Sequence, residues 1–430
     1  MTEKKAASNA AAADWQPYDT GAMRQALARK DYNTVIQEVR AAFAADPMAA
    51  IADPVINNWL GIRYRNIFLD EASVHRDAIK TSQLPLPFRL LDPRSLRQRV
   101  AQRMLRNFNE SELDLDLPPA QPVGFGNTTL LFSPGLITGY LPSLGFQYVF
   151  PILRERFGIR ILASDSHPVR GCEANVADLE NAIERGIGVD TNIDADFITA
   201  ADNPTPPKDI LAIGYSKGTP DFLTLMVRRP DLAPRIRGFI GWAGAFGGSY
   251  LANSALEQVD QMEGVNRHAK GLVGDAAKAL LQLTPLMAFG HLDRRLDEYD
   301  LHGAIESLTT DYRSRFNAEN ANLIQELGVP HFYFSGSTSM MEVAWFNRQG
   351  EVELDHYDQL NDMQLTQAQA KPALATAPHL AMWHANHWDM SYARFPWYKT
   401  MGSRHLRHDF ARESAMASII LLMSELGLIN

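Results

Sequence analysis

One cysteine, Cys172, stands in 430 residues. A lone thiol excludes an intramolecular disulfide and any cysteine-based metal site. Long apolar runs are also missing: no stretch stays apolar over the ~18 residues a bilayer span requires. Basic clusters are absent, and acidic residues outnumber basic ones to give a formal net charge of -9. Nucleic acid is therefore excluded as the main partner, because phosphate backbones are bound by clustered Lys and Arg. The opening MTEKKAASNAAAAD has two lysines but no leucine-rich segment behind them. It reads as a disordered tail (1–14) rather than a secretory leader, and the expected location is cytoplasmic. No repeat of ~20–50 residues is visible. What is present is ordinary for a globular chain, 46% apolar and 21% charged, with ample material for a core.

Residues 15–120 read as a helical extension. Apolar residues recur at three- and four-residue spacings in MRQALARKDYNTVIQEVRAAFAAD and in SLRQRVAQRMLRNFNESELDLDL. Between them IADPVINNWLGIRYRNIFLDEASVHRDAI is less regular, and SQLPLPFRLLDP is broken by three prolines. After PPAQPVG (118–124) short apolar runs begin: TTLLFSP (128–134), IRILAS (159–164), DILAIG (209–214), RGFIGWAG (237–244) and HFYFSG (331–336). Runs of this kind suit strands buried on both faces of a parallel sheet. The helical segments YVFPILRERF, NVADLENAIERG and PDFLTLMVRRPD alternate with them. Strand and helix in alternation imply a doubly wound α/β core over 121–250 and 330–430. Residues 251–329 lack strand signals and read as a helical cap, with the apolar stretch AAKALLQLTPLMAF (276–289) broken at Pro285. Leu280, Leu281, Leu283, Leu286, Met287 and Phe289 either line an apolar acyl or alcohol pocket or pack as ordinary core.

Gly214-Tyr215-Ser216-Lys217-Gly218 is the sharpest local signal. A G-x-S-x-G means little alone, but here a strand runs straight into it and a helix straight out. The serine then sits on a strained turn, with Gly214 and Gly218 leaving room where a Cβ would collide. Its hydroxyl stands at the positive end of the helix, and the Lys217 amide points where a carbonyl oxygen would become an oxyanion. Tyr215 is a further pocket candidate. Asp221, in the first helical turn, complements the helix dipole. The Lys217 side chain is expected to reach solvent or an acidic neighbour.

A serine hydroxyl needs a base, and the base needs an anion to hold its tautomer. In such an arrangement the order along the chain is serine, acid, histidine. Past HFYFSG the acids are Glu342, Glu351, Glu353, Asp355, Asp358 and Asp362, and the histidines His379, His384 and His387, with His405 and His408 further on. Asp362 and His387 are the preferred pair. His384 falls inside the strand HLAMWHA (379–385) and reads as packed, whereas His405 and His408 read as surface groups. The second oxyanion donor is expected from Ser133-Pro134-Gly135-Leu136-Ile137-Thr138-Gly139, where Gly135 allows the tight turn that presents the Leu136 amide.

These residues together resemble those of bacterial triacylglycerol lipases and related α/β-hydrolases, from about Leu130 to Asp389. Pro134-Gly135-Leu136 resembles their H-G-L, and Val169-Arg170-Gly171 their V-R-G. Arg229-Pro230-Asp231-Leu232 resembles R-P-D-L, and the turn from Ala243 to Ser249 resembles G-A-P-H-K-G-S. Leu308-Thr309-Thr310 with Phe316-Asn317 resembles L-T-T…Y-N. Asn361-Asp362 resembles N-D-G, with Met363 in place of the glycine, and Asn386-His387-Trp388-Asp389 resembles N-H-L-D. The resemblance implies an α/β-hydrolase fold and a Ser216–His387–Asp362 triad with an acyl-enzyme intermediate. It also implies a small-molecule ester substrate with an apolar part and no cofactor. Acyl transfer and thioester cleavage on the same scaffold are alternatives, and a catalytically silent binding protein is a third. In secreted members the aspartate matching Asp389 helps hold calcium. Here the nearest upstream carboxylate is Glu342, so Asp389 is only a weak metal candidate.

Overall fold

A computed structural model gives the architecture. It describes residues 18–75, 92–121, 124–138, 141–189, 204–266 and 295–429. The tail at 1–14 and the apolar stretch at 276–289, with Leu280, Leu281, Leu286, Met287 and Phe289, lie outside the described residues.

The short apolar runs form one six-stranded sheet. Its strands are β1 (Thr128–Ser133), β2 (Arg160–Ala163), β3 (Asp209–Tyr215), β4 (Ile236–Trp242), β5 (His331–Ser337) and β6 (His379–His384). All pairings are parallel, in the order β2-β1-β3-β4-β5-β6. Burial explains why these strands read as unbroken apolar runs: every residue of β1 and β5 is buried, since helices cover both faces. The chain leaves β1 toward β2 and then returns to the other side for β3. The carboxyl ends of β1 and β3 therefore flank the switch point, where open α/β sheets form a crevice.

Within residues 15–120, the segment whose sequence pattern is less regular is helical all the same. It forms a helix, Pro54–Val74, preceded by the short helix Pro47–Ala52. Both start on an Asp-Pro pair. Asp46 accepts from the Met48 and Ala49 amides at 2.9 and 3.1 Å, and Asp53 from those of Val55 and Ile56 at 2.7 and 3.1 Å. Each aspartate is an N-cap, and each proline fills the first helical position, where a missing N–H goes unnoticed. The long helix lacks periodicity because it is buried nearly all round, packed on β6 and on the C-terminal helix Arg412–Glu425. Its buried Arg63 is satisfied by Glu425 at 2.5 Å, and Arg65 by Glu112 at 2.7 Å.

Both edges of the sheet are occupied. Beyond the helix Leu96–Met104, Leu105 forms an antiparallel bridge with Trp383 of β6. The Arg106 amide donates to the Met382 carbonyl at 2.9 Å, and the Met382 amide to Asn107 Oδ1 at 2.6 Å. On the opposite edge Val189 bridges Ala163 of β2. Among the described residues, no helix is long and apolar enough to cross a membrane.

Candidate active site

Strand β3 delivers Ser216 onto a turn at φ 52°, a left-handed conformation that side chains other than glycine rarely adopt. Both flanking glycines are sterically required. A Cβ on Gly214 would stand 2.5 Å from Thr219 Cα, and one on Gly218 only 2.1 Å from the Ser133 carbonyl oxygen. The helix Gly218–Arg228 can thus start directly against the end of β1. Ser216 itself is half-buried.

The loop after β1 reaches the same point. A Cβ on Gly135 would meet Ser216 Cβ at 3.0 Å and the Tyr215 ring at 3.1 Å, so the Pro134–Leu136 turn lies over the serine. Ile137 follows at φ 56°, its amide donating to the Pro168 carbonyl at 3.2 Å. A β-branched residue in that conformation is strained, and such strain persists only where its surroundings enforce it. Lys217 is the N-cap of its helix, where the amide has no intrahelical acceptor.

Asp362 and His387 are brought together from loops beyond β5 and β6. His387 Nδ1 lies 2.8 Å from Asp362 Oδ2, and the His387 amide donates to the Asp362 carbonyl at 2.7 Å. The other carboxylate oxygen, Oδ1, accepts from the Gln364 and Leu365 amides at 2.9 and 2.7 Å. Both side chains are buried. Met363, where the lipase pattern has glycine, takes φ 81°. The turn keeps the glycine conformation without the glycine.

The Nε2 atom of His387 is buried with no hydrogen-bond partner among the described residues. It sits next to the elbow through Tyr215, whose ring stacks on the imidazole with centroids 5.1 Å apart. Tyr215 is buried, with its hydroxyl donating to the His387 carbonyl at 2.9 Å, and is packed under the histidine rather than open to a ligand.

The rival acids are engaged elsewhere. Asp355 accepts from Asn361, Asp358 from the Leu360 and Gln367 amides, and Glu353 from Ser254. Glu342 pairs with His384 at 2.8 Å. That contact with the His384 imidazole pulls the Glu342 carboxyl down to about 2. The expectation that His408 is a surface group is corrected: it is buried, and its Nδ1 lies 2.8 Å from Asp389 Oδ1. The partner that draws it inward comes from 19 residues earlier in the chain. Among the described residues no three metal-ligating side chains converge, and the Asp389 carboxylate is taken up by His408 and the Asn386 amide.

Of the two environments expected for the Lys217 side chain, the structure shows the acidic neighbour. Its ammonium is fully buried and bonds both Asp221 oxygens at 2.8 and 3.1 Å. Asn175 also donates to Asp221, at 3.0 Å, and fixes the His167 backbone from both sides. Asp221 is therefore more than a dipole partner. It is the counter-ion of a buried lysine one residue past the serine, which a charged residue on a turn does not announce in sequence.

No family model matches the chain, and no curated protein does. Solved structures do. A metagenomic carboxyl esterase, MGS0156, is 20% identical over 84% of this chain and 90% of its own, with a TM-score of 0.58. A Staphylococcus hyicus lipase is 9% identical over 71% of this chain and 98% of its own, with a TM-score of 0.44. EstA from Clostridium botulinum is 14% identical over 74% and 95%, with a TM-score of 0.39. With its parallel sheet, covering helices and strand-turn-helix at Ser216, and with the esterase match above, the chain has the α/β-hydrolase fold.

Proposed function

We propose that the chain is a serine hydrolase of carboxylic esters, with Ser216 as nucleophile, His387 as base and Asp362 as the group that orients it. The observation that carries this is the state of His387. Nδ1 is held by a carboxylate, and Nε2 is buried beside the elbow without a partner among the described residues. A buried polar atom left unsatisfied needs a reason, and a base awaiting the proton of a substrate-activated hydroxyl supplies one.

Ser216 Oγ attacks the acyl carbon while its proton passes to His387 Nε2. The imidazolium so formed is stabilised by Asp362, and the amides of Leu136 and Lys217 take the oxyanion. His387 then protonates the leaving alcohol, and water, activated by the same imidazole, hydrolyses the acyl-enzyme. The esterase likeness supports an ester as substrate.

A fluorophosphonate probe tests the reading. The folded chain is expected to label at Ser216, and Ser216→Ala to lose both labelling and turnover of short p-nitrophenyl esters. Well-folded protein that does not label would overturn it in favour of a silent binding scaffold.

A further inference from the structure

Asn175 stands in the first turn of the helix Cys172–Glu180, fully buried. Its side-chain amide uses both donors and both acceptor positions. Oδ1 accepts from the His167 amide at 3.2 Å and from Arg170 Nε at 3.1 Å. Nδ2 donates to the His167 carbonyl at 3.1 Å and to Asp221 Oδ2 at 3.0 Å. The groups on the oxygen can only donate, and the carbonyl and carboxylate on the nitrogen can only accept, so the amide has one orientation. A flipped amide would set oxygen against oxygen.

Each of the two donor bonds leads toward one of the amides proposed for the oxyanion. One path runs through Asp221, whose oxygens hold the Lys217 ammonium at 2.8 and 3.1 Å. The other runs through the His167 carbonyl to the next peptide, where the Pro168 carbonyl accepts from the Ile137 amide at 3.2 Å. Ile137 follows Leu136 directly and holds φ 56°. A buried β-branched residue keeps that conformation only while its surroundings enforce it. The 167–169 segment is itself tied down. His167 Nδ1 accepts from the Val169 amide at 3.1 Å, and the Val169 carbonyl from the Asp300 amide at 2.9 Å.

We propose that Asn175 is a positioning residue that holds the two oxyanion amides, those of Leu136 and Lys217, in register with each other, a role that rests on the hydrolase reading above. The two amides come from segments that follow different strands, β1 and β3, so the hydrogen bonds of one element do not set both. An oxyanion gains most from donors about 2.7–3.1 Å away, and such placement tolerates only about 0.5 Å of drift. Asn175 reaches both segments from a third element, and its hydrogen bonds go to neither Ser216, His387 nor Asp362. Its effect is therefore expected on the transition state rather than on substrate binding.

Asn175→Asp in the full chain tests it, because it replaces the two donors by an oxygen that can serve at most one of the two acceptors. With one p-nitrophenyl ester, kcat is expected to fall roughly 10–100-fold and KM to stay within about threefold. A trifluoromethyl ketone reads the oxyanion directly. Ser216 Oγ adds to its carbonyl carbon, the π pair moves onto oxygen, and the hydroxyl proton passes to His387. Its inhibition constant should rise by the factor by which kcat/KM falls. The acid limb of kcat/KM against pH, set by His387, should stay in place. Should the variant fail to fold by near-UV circular dichroism, Asn175→Ser, which shortens the side chain away from Asp221 without adding charge, is expected to show the same pattern. A parent chain that neither labels with fluorophosphonate nor turns over would overturn the hydrolase reading, and this role with it. A labelled, active parent whose folded Asn175 variants keep kcat within about twofold, or lose kcat with ketone inhibition unchanged, would overturn this role alone.

Discussion

The Tyr215 ring lies against the His387 imidazole at an interplanar angle of 30°. The residue before the elbow serine thus supports the base from below, through the ring face and through the hydroxyl bonded to the His387 carbonyl. Tyr215→Phe keeps the ring and loses the hydrogen bond, so kcat is expected to fall only several-fold, in line with one hydrogen bond of about 1 kcal/mol. Tyr215→Ala removes the support and should reduce kcat further, with KM less affected. Steady-state kinetics on one ester would show whether the order is reversed.

Asp362→Asn should lower kcat by roughly 10⁴-fold, because an amide cannot hold the required tautomer. Asp355→Asn and Asp358→Asn should stay near the parent, since those carboxylates bond Asn361 and the Gln367 amide instead. His387→Ala should abolish turnover and His384→Ala should not. A crippled His384 variant with intact fold would move the base to the wrong side of Glu342.

The Lys217–Asp221 pair is buried at both ends. Asp221→Asn leaves an ammonium without its counter-ion and is expected to destabilise by about 3–5 kcal/mol. Replacing both, as Lys217→Met with Asp221→Leu, should recover much of that loss, because an apolar pair of similar volume removes the desolvation penalty. Denaturant unfolding of the single and double variants measures the difference.

His331 opens β5 fully buried, with neither ring nitrogen hydrogen-bonded among the described residues and its ring edge-on to Phe239. Burial lowers its pKa to about 4. The unfolded chain therefore binds a proton near pH 6.5 that the folded chain refuses until about pH 4. Stability from this group is complete above pH 6.5 and declines by about 1.4 kcal/mol per unit as pH falls through that window. His331→Phe should flatten the decline, read as melting temperature against pH. An unchanged slope would place the acid sensitivity elsewhere.

Much of this was visible in the residues alone. The runs 128–134, 209–214 and 331–336 read as doubly covered strands because burial on two faces leaves no polar alternation to confuse them. The elbow was legible because a strand pattern runs straight into its serine and a helix pattern straight out. What escaped is which side chains the fold buries together. The helix Pro54–Val74 hides its period by being buried nearly all round. His408 is drawn inward by Asp389, and Lys217 by Asp221 and, through it, Asn175. Even where the partner is near in sequence, as Asp221 is to Lys217, the burial of the pair is decided by the elements packed around it.

Leu105 and Val189 turn both margins of the sheet into occupied ground. An open β6 would offer its amides and carbonyls to any passing chain as a template for growth. A version trimmed to begin after residue 107 would lose the Leu105 bridge and the Asn107 contact. It is expected to self-associate with rising concentration on size-exclusion chromatography, where the full chain keeps a constant elution volume. On that expectation the helical extension keeps the β6 margin from pairing with a second chain.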